Sequence, residues 1–243
     1  MKPNIKIFKS IDELSLAAAQ LFSESASQAI AARGRFLAAL SGGGTPGHLY
    51  QLLAGAPYRD QIDWQKTHIF WGDERCVPRD DPGNNYFQAR RALLDHVNIP
   101  ADHVHRVQSD LVPARAALDY ARTLKQFSAP PLNWPRFDLV LLGMGDDGHT
   151  ASLFPGSAVE MSEPVIAVTA NYQGRPAERV SLTPLVFNSA RRIIFLISGL
   201  SKAVTLTRVL GDVSKMELLP AQRIQPAEGE LLWLVDEAAA GKL

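Results

Sequence analysis

The chain has 243 residues, 46% of them hydrophobic, which is enough to bury a core without disulfides, metal or an obligate protein partner, and an α/β chain of this length can form one domain over 1–243. Lysine plus arginine number 25, as do aspartate plus glutamate, so no overall basic field exists to drive binding to nucleic acid or an anionic membrane, and anion selectivity must come from a local cluster. A single cysteine, Cys76, excludes an intramolecular disulfide and a multi-cysteine zinc site.

Ile5 to Phe8 reads as a short strand, and Ser10-Ile11-Asp12-Glu13 has the form of a capping box opening an alanine-rich helix to about Arg33. Phe36 to Leu40 is an apolar run stopped by Ser41-Gly42-Gly43-Gly44-Thr45-Pro46-Gly47, after which helical spacing resumes at Leu49, Leu52 and Leu53. The cycle repeats with a strand at His68 to Trp71, a polar loop, a helix from about Asn85 to His96 and a further helix after Pro113. A proline-rich connection from Ala129 to Pro135 leads into Phe137 to Leu142, a candidate central strand. Later strands are expected at Val165 to Val168, Arg179 to Leu182, Ile193 to Ser198 and Leu231 to Val235, with a helix between Lys202 and Leu210. Continuous apolar runs separated by helices indicate an α/β fold, an open and mostly parallel twisted sheet covered by helices on both faces. The first residues, MKPNIKIFKS, lack a signal peptide's apolar stretch, and the longest apolar run, Ile193 to Ile197, is far short of the roughly 20 residues a membrane helix needs. A soluble cytoplasmic protein is the expectation.

Open sheets of this type bind ligands where loops leave the carboxyl ends of strands. The Ser41 to Gly47 loop joins a buried strand to a helix, so its backbone amides and a helix N-terminus can converge on a phosphate; His48 and Leu49 stand where a nucleotide P-loop requires lysine and serine or threonine. The alternative is a tight turn that uses glycine only for backbone freedom. Gly143-Met144-Gly145-Asp146-Asp147-Gly148 matches the dinucleotide pattern, but Pro155 and Gly156 interrupt the chain where that fold needs a long helix, which argues against a nicotinamide or flavin site.

His149 sits beside Asp146 and Asp147 in the same loop, where a carboxylate can fix its tautomer and stabilise its protonated form, so it can act as base and then acid. Either aspartate can equally be a helix cap, and His149 can equally serve the backbone; Asp147 is favoured as orienter. In Asp73-Glu74-Arg75, Arg75 can hold a phosphate through its planar fork, or pair with a neighbouring carboxylate to stiffen the loop. Successive side chains point apart, so one of the three is expected in the site and another packed beneath it. Arg179 and Lys202 are further phosphate candidates, with a solvated surface position as the alternative. His103 and His105 alternate as if on one strand face, but no neighbouring ligand spacing completes a metal site. Cys76 is expected to be a packed thiol.

Together, Ser41-Gly42-Gly43-Gly44-Thr45-Pro46, Trp71-Gly72-Asp73-Glu74-Arg75 with Asn84-Asn85, Gly143 through Pro155, Arg179-Val180-Ser181-Leu182-Thr183 and Ser198-Gly199 to Lys202-Ala203 resemble the 6-phosphogluconolactonase family over essentially the whole chain. The resemblance implies a cofactor-free hydrolase of the pentose phosphate pathway, a phosphosugar lactone as substrate, and the sheet architecture of glucosamine-6-phosphate deaminases. It strengthens the roles read for His149, Arg75, Arg179 and Lys202 in particular. The combined expectation is His149 and Asp147 at the chemistry, and Gly42, Gly43, Gly44, Thr45, Asp73, Arg75, Arg179 and Lys202 at the substrate and its phosphate. The deaminases share the glycine loop and the Gly-Asp-Gly-His pattern, but they carry a proton-transferring glutamate soon after the histidine where this chain has Phe154. A phosphosugar-sensing regulator would normally add a helix-turn-helix segment, for which no spare length is read here.

Overall fold

Every side chain of Phe36–Leu40 and of Leu139–Leu142 is buried, as a strand covered on both faces requires. The computed structural model, which describes residues 3–157, 161–211 and 218–243, places both runs in the middle of a six-stranded sheet. That sheet contains β1 (Asn4–Phe8), β2 (Phe36–Leu40), β3 (Thr67–Trp71), β5 (Leu139–Leu142), β8 (Arg192–Ile197) and β9 (Glu230–Asp236) in the order β1-β9-β8-β5-β2-β3, with every pair parallel. A second sheet, β4 (Asp73–Arg75), β7 (Glu178–Leu182) and β6 (Val165–Thr169), is antiparallel. Gly72 joins the two: its N–H donates to Leu40 O at 2.8 Å and its carbonyl accepts from Leu182 N at 2.8 Å.

The helices are α1 (Ile11–Arg33), α2 (Gly44–Leu53), α3 (Tyr58–Gln61), α4 (Asn85–Ala92), α5 (Pro113–Lys125), α6 (Pro184–Phe187), α7 (Ala203–Leu210) and α8 (Glu237–Ala240). Alternate residues of the central strands feed two cores. Ala38, Leu40, Leu139, Leu141, Ile194 and Leu196 meet the α1 stripe Leu14, Ala18, Phe22 and Ala26, while Leu37, Ala39, Val140, Leu142, Ile193 and Phe195 meet Ala116, Tyr120 and Leu124 of α5. Both faces of the sheet are therefore covered, in line with the apolar runs. From β2 the chain adds β3 on one side and later β5 and β8 on the other, so the strand order reverses at the β2/β5 boundary, where a ligand crevice is expected.

Several sequence expectations change. Asp73-Glu74-Arg75 is a short strand, not a polar loop, because β7 supplies its ladder. The strands read at Val165 and Arg179 belong to the small antiparallel sheet, outside the parallel one. Helix α2 starts at Gly44, ahead of the apolar spacing, and α4 stops at Ala92, followed by a 3₁₀ turn over Leu94–His96. At α1, Ser10 accepts from Glu13 N at 3.3 Å, but the Glu13 carboxylate accepts from Lys9 N at 3.1 Å, one residue short of the reciprocal bond of a capping box. His103 ends a 3₁₀ turn, stacks on His68 of β3 with centroids 3.8 Å apart, and leaves His105 3.1 Å from the His68 ring nitrogen. Cys76 is half-buried, and burial pushes its thiol up to about 11, the behaviour of a packed and unreactive group.

Candidate active site

Segments after β2, β3, β5 and β8, with the β6–β7 hairpin, line one cavity of about 230 Å³. Seven of the substrate positions read from sequence, Gly42, Gly43, Gly44, Thr45, Asp73, Arg75 and Arg179, open onto it, as do Lys202 and His149; Asp147 stands behind the histidine.

The glycine loop earns its composition from close approach. A Cβ on Gly42 would lie 1.8 Å from Asn85 Oδ1, so only glycine lets the loop pass against α4. Beyond it α2 begins, and the first amides of a helix have no partner inside it; Gly44 and Thr45 therefore present N–H groups and the positive end of the helix to the cavity.

Pairing of β4 with β7 sets the cations. Arg75 lies directly opposite Arg179 and Asp73 opposite Ser181, so these four side chains share one face while Glu74 and Val180 share the other. Arg75 and Arg179 are 7% and 2% exposed, so two like charges face each other out of water. Arg75 Nη1 donates to Gly83 O at 2.7 Å, but its Nε, and Nε and Nη2 of Arg179, have no hydrogen-bond partner among the described residues. Burial, and then the neighbouring Arg75 and Arg175 against the attraction of Asp73, hold the Arg179 guanidinium below its ordinary pKa. Opposed buried cations with unmet donors are costly unless an anion joins them.

Glu74 is the member of its triplet packed beneath. Its carboxylate accepts from Arg75 N, Asn85 N and Tyr86 N at 2.7 to 2.8 Å, at the start of α4. Burial still pushes it up to about 7 against those three bonds. Asp73 reaches the cavity, but its carboxylate accepts from Ser152 Oγ at 2.6 Å and Asn85 Nδ2 at 3.3 Å. It is thus tied to the His149 loop and to α4 while still lining the cavity.

His149 is held through Asp147, whose Oδ1 accepts from the His149 backbone N–H at 3.1 Å and lies 2.6 Å from Nδ1. Burial works to raise the Asp147 carboxyl, but the bonds from the His149 ring and amide, with the charge on His149, outweigh it and keep it ionised below its ordinary range. An ionised carboxylate only accepts, so Nδ1 carries the hydrogen, and in the neutral imidazole Nε2 keeps a lone pair. A Cβ on Gly145 would fall 2.1 Å from His149 Nδ1, so glycine there makes room for the pair. Of the two aspartates, Asp147, the one favoured from sequence, bonds the histidine, while Asp146 accepts from Lys202 Nζ at 2.5 Å and Ser201 Oγ at 3.0 Å. Burial opposes ionisation of Asp146 and the Lys202 and Ser201 bonds more than offset it.

Sequence reasoning did not single out Tyr172, Gln173 and Arg175, the tip of the β6–β7 hairpin, although all three line the cavity. The Tyr172 ring meets His149 edge-on at 4.6 Å, and Gln173 Nε2 reaches Asp146 Oδ2 at 3.4 Å. Tyr-Gln-Gly-Arg between two strand runs was the available signal, since it has the composition of a hairpin turn.

Comparison with known proteins places these features in a family. Residues 9–233 match the family described as glucosamine-6-phosphate isomerases/6-phosphogluconolactonase. A 6-phosphogluconolactonase of a Nostoc species is 43% identical over 218 residues, covering 88% of this chain and 88% of that protein. The solved 6-phosphogluconolactonase of Trypanosoma cruzi superposes with a TM-score of 0.87 at 30% identity, over 100% of this chain and 97% of the other. A monomeric glucosamine-6-phosphate deaminase structure gives a TM-score of 0.85 over 99% and 100% of the two chains, but at 21% identity it speaks for the fold alone.

Proposed function

Because the chain belongs to the family of glucosamine-6-phosphate isomerases and 6-phosphogluconolactonases, we propose that it hydrolyses 6-phospho-D-glucono-1,5-lactone to 6-phospho-D-gluconate, the lactone-opening step of the oxidative pentose phosphate pathway, without a cofactor. The observation that carries this reading is the buried Arg75–Arg179 pair, with Arg75 Nε and Arg179 Nε and Nη2 left without partners among the described residues, in the same cavity as an Asp147-oriented His149. One end of the cavity calls for a dianionic phosphate, and the other offers an imidazole whose free nitrogen can take a proton from water.

In this mechanism the phosphate sits against Arg75, Arg179 and the Gly42 to Thr45 amides, with Lys202 at the rim. Anchoring holds the lactone carbonyl carbon near His149 Nε2. Nε2 takes a proton from water as its oxygen adds to the carbonyl carbon, giving a tetrahedral intermediate and an imidazolium stabilised by Asp147. Collapse breaks the bond from that carbon to the ring oxygen, which leaves with the proton from Nε2. The neutral histidine is restored and the open-chain acid is released.

Amino-sugar isomerisation is the competing reading, and it needs a proton-transferring side chain beside the histidine. Phe154 fills that place, with its ring centroid 4.5 Å from that of His149. The Nostoc relative, 43% identical over 88% of this chain, is named a 6-phosphogluconolactonase. The purified protein offered 6-phosphogluconolactone and glucosamine 6-phosphate in parallel should consume the first only; turnover of the amino sugar at a comparable rate would reverse the assignment. No helix among the described residues is long and apolar enough to cross a membrane. Independently of that, the cytoplasm is the compartment we propose for the reaction.

A further inference from the structure

The turn after His149 brings two distant requirements of the site onto one aromatic ring. Thr150 and Leu153 form an isolated antiparallel bridge, closed by Leu153 N donating to Thr150 O at 2.9 Å, and Ala151 takes a left-handed conformation at φ 49° to complete it. Residues flanking such a bridge are brought face to face, and here they are His149 and Phe154, stacked at 4.5 Å with 29° between their planes. Leu153, 1% exposed, anchors the turn in the core, and Phe154 N donates to Ser157 Oγ at 3.1 Å, so the ring is carried on a fixed support. The guanidinium carbon of Arg179 lies 5.3 Å from the same ring centroid.

These contacts supply constraints that no hydrogen bond in the site provides. The Asp147 bond fixes Nδ1 but leaves the imidazole free to swing about that contact. The Phe154 face on one side and the Tyr172 edge at 4.6 Å on another remove the swing. Nε and Nη2 of Arg179 have no hydrogen-bond partner among the described residues, so no hydrogen bond from either sets its direction, and the Phe154 ring is an aromatic surface on which a cation settles.

We infer that Phe154 is a positioning residue that acts through both His149 and Arg179, fixing the imidazole for proton transfer and the guanidinium for the anion. The inference rests on the functional reading above. It separates into two arms, a kcat effect routed through His149 and an affinity effect routed through Arg179.

The test compares Phe154→Leu, which keeps apolar bulk without a planar face, with Phe154→Tyr, which keeps the face; Phe154→Met replaces the leucine variant if that one does not fold. Leucine should lower kcat for 6-phosphogluconolactone by about 3- to 10-fold, the size of one aromatic contact, and should raise KM at least about threefold. Tyrosine should restore both to within about twofold. In a His149→Ala background the leucine effect on kcat should shrink below about twofold while its KM effect persists, and in an Arg179→Met background the KM effect should vanish. An undiminished kcat loss in His149→Ala, a KM effect that survives Arg179→Met, or a tyrosine variant as impaired as leucine would overturn the inference. If the wild-type protein binds 6-phosphogluconate but leaves the lactone intact, the functional reading fails by itself. The binding arm is then decided by whether Phe154→Leu weakens 6-phosphogluconate in the wild-type and not in the Arg179→Met background.

Discussion

Replacing Arg179 by methionine removes the guanidinium while keeping most of its apolar stem, and the structure fixes what that should cost. Two donors, Nε and Nη2, have no hydrogen-bond partner among the described residues, and the side chain is 2% exposed, so screening by solvent is slight. Hydrogen bonds to charged groups contribute about 1.5 to 3 kcal/mol each. Taking the lower figure twice, to allow for the relief of Arg75–Arg179 repulsion, gives about 3 kcal/mol, or an affinity loss on the order of 10²-fold. The assay is thermal unfolding with 6-phosphogluconate at a concentration about 100 times the wild-type Kd, where ligand should stabilise the wild type by about 2.7 kcal/mol and the variant by about 0.4 kcal/mol. For a chain of this size that is a rise of roughly 5 to 11 °C against one of about 1 to 2 °C. Equal ligand-induced rises in the two proteins would refute the assignment of these donors to the phosphate.

Asp147→Asn should leave KM within about twofold and lower kcat on the order of 10² to 10⁴, because an amide neither enforces the Nδ1–H tautomer nor stabilises the imidazolium; steady-state kinetics checks it, and a kcat within twofold of wild type would remove Asp147 from the mechanism. Acid stability should depend on the His68–His103–His105 cluster. Burial first, then His103, His105 and Arg35 at His68 and His103 at His105, against the pull of Asp102, hold the His68 and His105 rings down at about 4. An unfolded histidine titrates near 6.5, so from about 6.5 down to about 4 the unfolded chain binds more protons and stability falls with pH. Glu74, raised to about 7, acts in the opposite sense over about 4.5 to 7, so the comparison must be between proteins and not along one curve. A His68→Gln, His105→Gln double variant should lose less Tm than wild type between pH 6.5 and 4.5; parallel losses would contradict the linkage.

The central strands were legible because burial on both faces leaves continuous apolar runs, as in Phe36–Leu40 and Leu139–Leu142. The β4 strand was not, since Asp73-Glu74-Arg75 has no apolar residue and its strand form comes from pairing with β7, more than 100 positions later in the chain. His149, Arg75 and the glycine loop could be nominated from sequence because their residue types carry their chemistry. Asp147 could be favoured over Asp146 only weakly, for both are adjacent carboxylates and only the folded loop turns one to the histidine and the other to Lys202. The bonds of Asp73 to Ser152 and Asn85 were equally out of reach of the sequence, since Ser152 lies 79 positions away in the chain.

The most direct test is the initial rate of 6-phosphogluconolactone opening by folded His149→Ala, corrected for the spontaneous reaction. With Nε2 as the only proton carrier in the scheme, the rate should fall on the order of 10²- to 10⁴-fold while 6-phosphogluconate still binds. A variant that opens the lactone as fast as the wild type would show that the imidazole does not carry the proton.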